Sequence, residues 1–238
     1  MFHRLTRYSS LLLIALCIGL LQIGGFSKPL TQSEISKKIS QSPWYGKIPL
    51  VEKLDTLELV KKGYQRTVLA GGCFWCMQGP FDYLPGVKLT RAGYAGGFEE
   101  NPKYKDVSYG RTSHTEAVEI WFNPKEISYS DIIETYWKTM DPTDLGGQFA
   151  DRGSQYRPVI FYMNETQKLI AENSKKALER SKRFKDKIVV PIKEYKNFYP
   201  AEEYHQFYYL KNPPHYFRYR EGSGRAPFLK SIWGPDAF

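Results

Sequence analysis

Residues 66–84 read RTVLAGGCFWCMQGPFDYL. RTVLA is a short apolar run with the length of a buried strand. Two glycines follow, and CFWCMQGPFDYL then takes on helical spacing. A strand that passes into a helix through Gly71-Gly72 puts Cys73 at the helix N-terminus. Gly79-Pro80 makes that helix short or distorted. The rest of the chain repeats the interspersion. TEAVEIWF (115–122) alternates with period two, so Glu116, Val118, Ile120 and Phe122 share one face, and Ala117, Glu119 and Trp121 the other. SDIIETYWKTM (130–140) is a helix with Ser130 as N-cap and Ile132, Ile133, Tyr136, Trp137 and Met140 on one stripe. PVIFY (158–162) is a strand. Asn164, with Gln167 three residues on, opens a long helix to about Phe184. KIVVPI is a strand that Pro191 pushes to an edge or an end. PAEEYHQFYYLKN (200–212) reads as a helix with Pro at its first position. Such interspersion means α/β or α+β, in one domain from about 65 to 225.

Two Gly-rich loops, in 86–114 and 141–156, are long for a compact domain, and loops of that kind are usually functional. Residues 28–64 show no strong period and read as an extension or linker that packs on the domain edge. Residues 226–238 read as a C-terminal tail. The N-terminus has Arg4 and Arg7, no acid before Glu34, and the apolar run LLLIALCIGLLQI (11–23). That run suits a signal peptide ending at residue 27 and is short for a membrane span, with an uncleaved anchor as the rival. Export, to the periplasm or as a membrane-anchored domain facing outside the cytoplasm, is the expectation. A net charge of +9 raises the question of nucleic acid. Much of that charge lies in SKKALERSKRFKDKIVVPIK (174–193), where it alternates with acids and apolar residues as on a solvated helix face. No nucleic-acid motif accompanies it, and none is expected as a partner.

The chain holds three cysteines: Cys17 in the apolar run, then Cys73 and Cys76. Two cysteines three apart are too few for a disulfide scaffold. A zinc site needs four ligands, yet there is no second CxxC, and His114, His205 and His215 lack ligand spacing; no metal is expected. In a helix the Cα atoms of residues three apart lie roughly 5–6 Å from each other, within disulfide reach. The helix N-terminus favours a thiolate at Cys73. These facts support a reactive cysteine without separating a disulfide exchanger from an enzyme that resets itself with the pair. Phe74 and Trp75 are either walls of an apolar pocket or core residues.

GGCFWC is followed in order by GYAGG, NPKY, HTEAV, DRGSQYRPVIFY and YHQFYYLKNP. This series, over about residues 66–216, resembles the A-class peptide-methionine sulfoxide reductases, in the CFWC subtype. The resemblance implies an α+β two-layer sandwich with a mixed β-sheet, a ferredoxin-like (α/β plait) core and long functional loops. It implies reduction of methionine-S-sulfoxide, free or in oxidised proteins and peptides, by a chain that is expected to be a monomer with no bound cofactor. Thioredoxin or another external dithiol is the implied reductant. The competing class is a thiol-disulfide oxidoreductase acting on protein partners.

The chemistry requires a soft nucleophile, a neutral acid, oxygen donors and an apolar cup for a methyl group. The resemblance assigns these in turn. Cys73 is the nucleophile, and Glu116 of HTEAV is the acid. The strand phase supports Glu116 independently, because a carboxyl on a buried face stays protonated near neutrality. Glu119, out of phase, is the internal control. Tyr104 and Tyr156 are the oxygen donors, Asp151 helps hold ordered water and the substrate main chain, and Phe74 and Trp75 form the cup. Arg152 stands where the family commonly has His, and Ser113 and Thr115 flank His114 where it has Gly and Ala. Many members carry resolving cysteines near the C-terminus, whereas this chain has none after Cys76. Cys76 is therefore the implied resolving thiol, with direct rescue by an external thiol as the alternative.

Overall fold

The structure is a computed structural model that describes residues 31–50, 55–234 and 237. The segment 1–27, expected to be a signal peptide, lies outside these residues.

Six strands form one sheet in the order β7-β6-β1-β3-β2-β8. They are β1 (Gln65–Ala70), β2 (Val87–Ala95), β3 (Thr115–Phe122), β6 (Val159–Tyr162), β7 (Ile192–Glu194) and β8 (Phe198–Pro200). The inner four, β6-β1-β3-β2, are antiparallel throughout. Helix α3 (Phe74–Asp82) joins β1 to β2, and α5 (Tyr129–Trp137) leads from β3 toward β6. That connectivity is the ferredoxin-like core, and the parallel β6–β7 pair makes the sheet mixed. The strand expected over KIVVPI (187–192) starts only at its last residue: Pro191 has no N–H to give a ladder, and β7 follows it as the edge strand of the sheet.

Leu69, Val118, Ile120 and Phe122 pack against Phe74, Met77 and Phe81 of α3 and Ile132, Ile133 and Tyr136 of α5. Each such side chain contributes roughly 1.5–3 kcal/mol when fully buried. The opposite face is also covered, through Val68, Ala70, Ala117, Val159 and Phe161. All eight residues of β3 are therefore buried, so Glu119 lies inside too. It does so as an ion pair, 2.5 Å from Arg91 and 3.4 Å from Arg66, and it also accepts from Trp121 Nε1 at 3.0 Å. The alternation of apolar and acidic residues here separates two buried faces rather than inside from outside.

Three local expectations are corrected. The N-cap of α5 is Ser128, not Ser130. Its hydroxyl accepts from Asp131 N at 3.2 Å, while the Asp131 carboxylate accepts from Ser128 N at 3.1 Å, a capping box. The long helix α6 (Glu165–Arg180) stops before Phe184, although its N-cap Asn164 holds as expected. Residues 200–212 are not one helix: Pro200 ends β8, Phe207 is left-handed at φ 51°, and α7 spans only Tyr208–Lys211. The break is stabilised by Gln206. Its buried amide bonds Ala92 N, Ala92 O and Ala201 O at 2.8–2.9 Å, acting as a surrogate strand beside β2.

The flanking segments are structured. Within 28–64, α1 (Gln32–Ser40) starts at a Thr31–Glu34 capping box, and α2 covers Thr56–Lys61. The first part packs on the domain edge: Tyr83 donates to Lys38 O, Ser42 Oγ meets Tyr209 Oη at 2.9 Å, and Trp44 lies on Phe207. Past α8 (Pro213–Gly222), residues drawn as tail form α9 (Arg225–Trp233), with Ala226 and Leu229 buried.

Candidate active site

Cys73 is the N-cap of α3, reached from β1 through Gly71-Gly72. Gly72 has φ +86°, and a Cβ there would lie 2.6 Å from both Arg225 Nη2 and Gln148 Cβ. Only glycine makes this turn without strain. Gly72→Ala is expected to cost about 1–2 kcal/mol from the backbone alone, with the clash added to it. Urea unfolding reads this as a lowered midpoint, and an unchanged midpoint would contradict it.

Both cysteines are free thiols inside the protein, Cys73 6% exposed and Cys76 1%. They share a hydrogen bond and titrate as a pair. Burial pushes the Cys73 thiol well up, as do the bond to Cys76 and the nearby carboxyls of Glu116 and Asp151. The Cys76 thiol is lowered by its bond to Cys73, against burial, with Arg225 and Arg220 assisting. Burial and the pairing therefore oppose the thiolate that the helix end favours at Cys73, and that helix end is already occupied. The first amide of α3, Phe74 N–H, is already donated to Glu116 Oε2 at 2.9 Å. Pro80 lacks the N–H that would bond the Cys76 carbonyl four residues back, so one helical hydrogen bond is missing beside the second sulfur.

Glu116 is 1% exposed. Burial raises its carboxyl to about 8 despite the Phe74 bond and Arg225, with Asp151 and Cys76 adding to the rise. The two glutamates of β3 thus differ in kind. Glu119 faces two arginines across ion-pair distances, whereas Glu116 bonds a backbone amide and feels the charge of both thiols.

Tyr104 begins α4 (Tyr104–Ser108), and its N–H is held by Glu202 Oε1 at 3.0 Å. Burial lifts its phenol to about 12, with the charges of Glu116 and Cys73 adding to the rise. Tyr156 ends a 3-10 turn over 154–156, and burial, Glu116 and Tyr104 push its phenol up as well. Both rings therefore remain neutral O–H donors at working pH. Thr115 reinforces this side: its hydroxyl bonds the carbonyls of Gln155 and Arg157, both at 3.1 Å, on either side of Tyr156. Asp151, in the short β5 (Asp151–Arg152) that pairs with β4 (Gly147–Gln148), accepts from the Tyr219 hydroxyl. Burial raises its carboxyl. Arg152 points elsewhere and pairs with Asp144.

Phe74 is 1% exposed, between Tyr94, Tyr104 and His205, so in this state it belongs to the core. Trp75 is only half-buried. It stacks on Tyr208 at 3.8 Å, meets Tyr219 edge-on, and donates Nε1–H to His205 Nδ1 at 3.0 Å. Cys73, Cys76, Glu116, Asp151, Tyr104 and Tyr156 are thus brought together, with Trp75 as the open aromatic wall. Three further residues escaped the sequence reading. Tyr219 holds Asp151. His205 holds Trp75, and burial lowers its imidazole to about 4. Arg225, buried behind the glycine turn, donates to Gly71 O and Thr139 O. His205 lies in a quoted motif, whereas nothing in the local sequence marks Tyr219 or Arg225.

The family model "Peptide methionine sulfoxide reductase" matches residues 65–237. The chain is 54% identical over 166 residues to "Peptide methionine sulfoxide reductase MsrA 2" of Staphylococcus aureus (strain Mu50 / ATCC 700699), covering 70% of this chain and 94% of the relative. It is 52% identical over 175 residues to "Peptide methionine sulfoxide reductase MsrA" of Listeria innocua, covering 74% and 99%. Among solved structures it is similar to reduced Mxr1 of Saccharomyces cerevisiae, with TM-score 0.59 and 32% identity over 63% of this chain and 86% of that one. It is also similar to methionine sulfoxide reductase A of Corynebacterium diphtheriae, with TM-score 0.57 and 30% identity over 63% and 76%. With its ferredoxin-like core, its paired thiols and a neutral buried carboxyl beside them, the chain belongs to the peptide methionine sulfoxide reductases of the A class, enzymes that reduce methionine sulfoxide and so repair oxidised protein.

Proposed function

We propose that Cys73 reduces methionine-S-sulfoxide with Glu116 as the acid, and that Cys76 resets it. The observation that carries this is the Glu116 carboxyl, 1% exposed and bonded at 2.9 Å to the amide that follows Cys73. A poor leaving oxygen needs a proton at the moment of attack, and a buried carboxyl with its pKa near 8 brings one.

The steps balance. The shared proton passes to Cys76, and the Cys73 thiolate attacks the sulfoxide sulfur. Glu116 gives its proton to the sulfoxide oxygen, with Tyr104 and Tyr156 donating hydrogen bonds to it. The S–O bond of the substrate breaks, and the oxygen ends on Cys73 as a sulfenic acid. Methionine sulfur gains the two electrons that Cys73 loses. The Cys76 thiol then attacks Cys73 Sγ, water leaves, and a Cys73–Cys76 disulfide forms. An external dithiol of the thioredoxin kind reduces it. Helical i,i+3 spacing supports the pairing, and no cysteine follows Cys76.

Trp75 and the Tyr208 ring stacked on it supply one apolar wall for the methyl, and Asp151, held by Tyr219, serves the substrate main chain. A site with acid, oxygen donors and apolar wall on fixed sides accepts one sulfoxide epimer. A racemic peptide sulfoxide is expected to be consumed to half, leaving the R epimer by chiral chromatography; full consumption would sink the assignment. The apolar segment 11–23 supports export. Membrane fractionation with N-terminal sequencing tests it: a chain starting at Lys28 outside the cytoplasm is expected, and an intact cytoplasmic chain overturns it.

A further inference from the structure

Arg225 is 1% exposed, the bulkiest of the fully buried side chains. Its guanidinium donates to Thr139 O at 2.6 Å and, through both terminal nitrogens, to Gly71 O at 3.2 and 3.1 Å. It also lies over the Phe149 ring at 4.8 Å. No carboxylate among the described residues forms an ion pair with it. An arginine buried without a counter-ion is costly, and a structural clamp on two carbonyls does not by itself need the charge. The charge therefore has a use, and the groups around it indicate which. The thiol pair is faced by Glu116 from β3, Asp151 from β5, Tyr104 from α4, Tyr156 from the 154–156 turn, Tyr216, Tyr219 and Arg220 from α8, and Arg225 from α9. Of these, only the two arginines are cations, and of the two only Arg225 is fully buried.

The sulfurs also differ in access. Cys76 is 1% exposed in a cluster with Phe207, Tyr209 and Tyr216, whereas Cys73 at the helix start is 6% exposed. A reductant reaches Cys73 first.

Resting on the reading that Cys76 resolves Cys73, we propose that Arg225 is a positioning residue of the resetting step. It locks the Gly71-Gly72 turn that carries Cys73, and it supplies the positive charge against which Cys76 leaves. The thiolate of an external dithiol attacks Cys73 Sγ, and the Cys73–Cys76 bond breaks with its electron pair going to Cys76. The second reductant thiol then attacks the mixed disulfide, and Cys73 is released as a thiol. A leaving sulfur is better the more its thiolate is stabilised, and the lowering of the Cys76 thiol by Arg225 agrees.

The test compares the full-length wild type with Arg225→Met and Arg225→Lys. In the methionine variant the first thiol ionisation, followed by thiolate absorbance against pH, is expected to rise by about one unit, and disulfide reduction at neutral pH to slow about tenfold. Lysine, which keeps the charge, is expected to restore most of both. A folded methionine variant with unchanged ionisation and reset rate overturns the proposal, as does a lysine variant no better than methionine. If the methionine variant does not fold, the wild type decides. A thioredoxin whose second cysteine is replaced by serine is expected to be trapped on Cys73 by peptide mapping, and trapping on Cys76 overturns the proposal. An oxidised wild type with no Cys73–Cys76 disulfide overturns the reading beneath it, and the proposal with it.

Discussion

Glu116→Gln lowers sulfoxide reduction by a factor on the order of 10²–10⁴, the span expected when a positioned acid is removed. Glutamine keeps the shape and can still hydrogen-bond the oxygen, but it has no proton to give. The pH dependence gives the loss its signature. Burial raises the Glu116 carboxyl to about 8, so the acid form is present at neutrality and disappears as pH rises through about 8. The wild-type rate is expected to fall on that alkaline limb, and the variant to lack the limb while being slow throughout. Stability has the same sign. A carboxyl whose folded pKa is raised contributes fully below its unfolded value, and that contribution is lost as pH rises through the folded one. Urea unfolding at pH 6 and pH 9 is expected to show a smaller alkaline loss in the glutamine variant. Near-wild-type rates across pH would remove Glu116 from the chemistry. Glu119 sets the contrast: its two arginines make it a structural anion, and its loss is expected to show in unfolding.

Cys73→Ser and Cys76→Ser are expected to fail in different ways. The first removes the attacking sulfur and abolishes reduction, because a serine hydroxyl is not a soft nucleophile at this pH. The second leaves the oxygen-transfer step intact. Free reduced Cys76→Ser enzyme should form about one methionine per active site and then stall with thioredoxin as reductant, its Cys73 held as sulfenic acid. A dimedone adduct on Cys73, found by peptide mass, checks the stalled state. Sustained turnover of Cys76→Ser with thioredoxin would show that an external thiol resets Cys73 directly. Residual reduction by Cys73→Ser would displace Cys73 as nucleophile.

The features legible in the sequence share one property, that neighbours along the chain determine them. The strand–Gly-Gly–helix passage into Cys73 was legible because a glycine at φ +86° and a switch of period are local events. The period of 115–122 likewise put Glu116 with the aliphatic residues that meet α3 and α5. That period could not show that Glu119 is buried as well, since its partners come from two other strands. The helix expected over 200–212 failed for the same reason: Gln206 spends its amide on β2, more than a hundred residues away in sequence, and Phe207 turns left-handed to allow it. The Thr31–Glu34 capping box and the role of Ser128 were within reach of a local reading. Arg225 was not, because a basic residue in a Gly-Ser-Gly-Arg stretch looks like surface until the fold places it under Gly71.

The central claim is that oxygen passes from methionine sulfoxide to Cys73 and the oxidation ends as a Cys73–Cys76 disulfide. Single turnover of the reduced wild-type enzyme with one equivalent of peptide methionine-S-sulfoxide tests it most directly, with methionine counted by chromatography and the cysteines mapped by mass spectrometry after alkylation. The expected result is one methionine per enzyme, both thiols protected from alkylation, and a linked peptide lighter by two hydrogens. Methionine formed while both cysteines still alkylate in full would contradict the account.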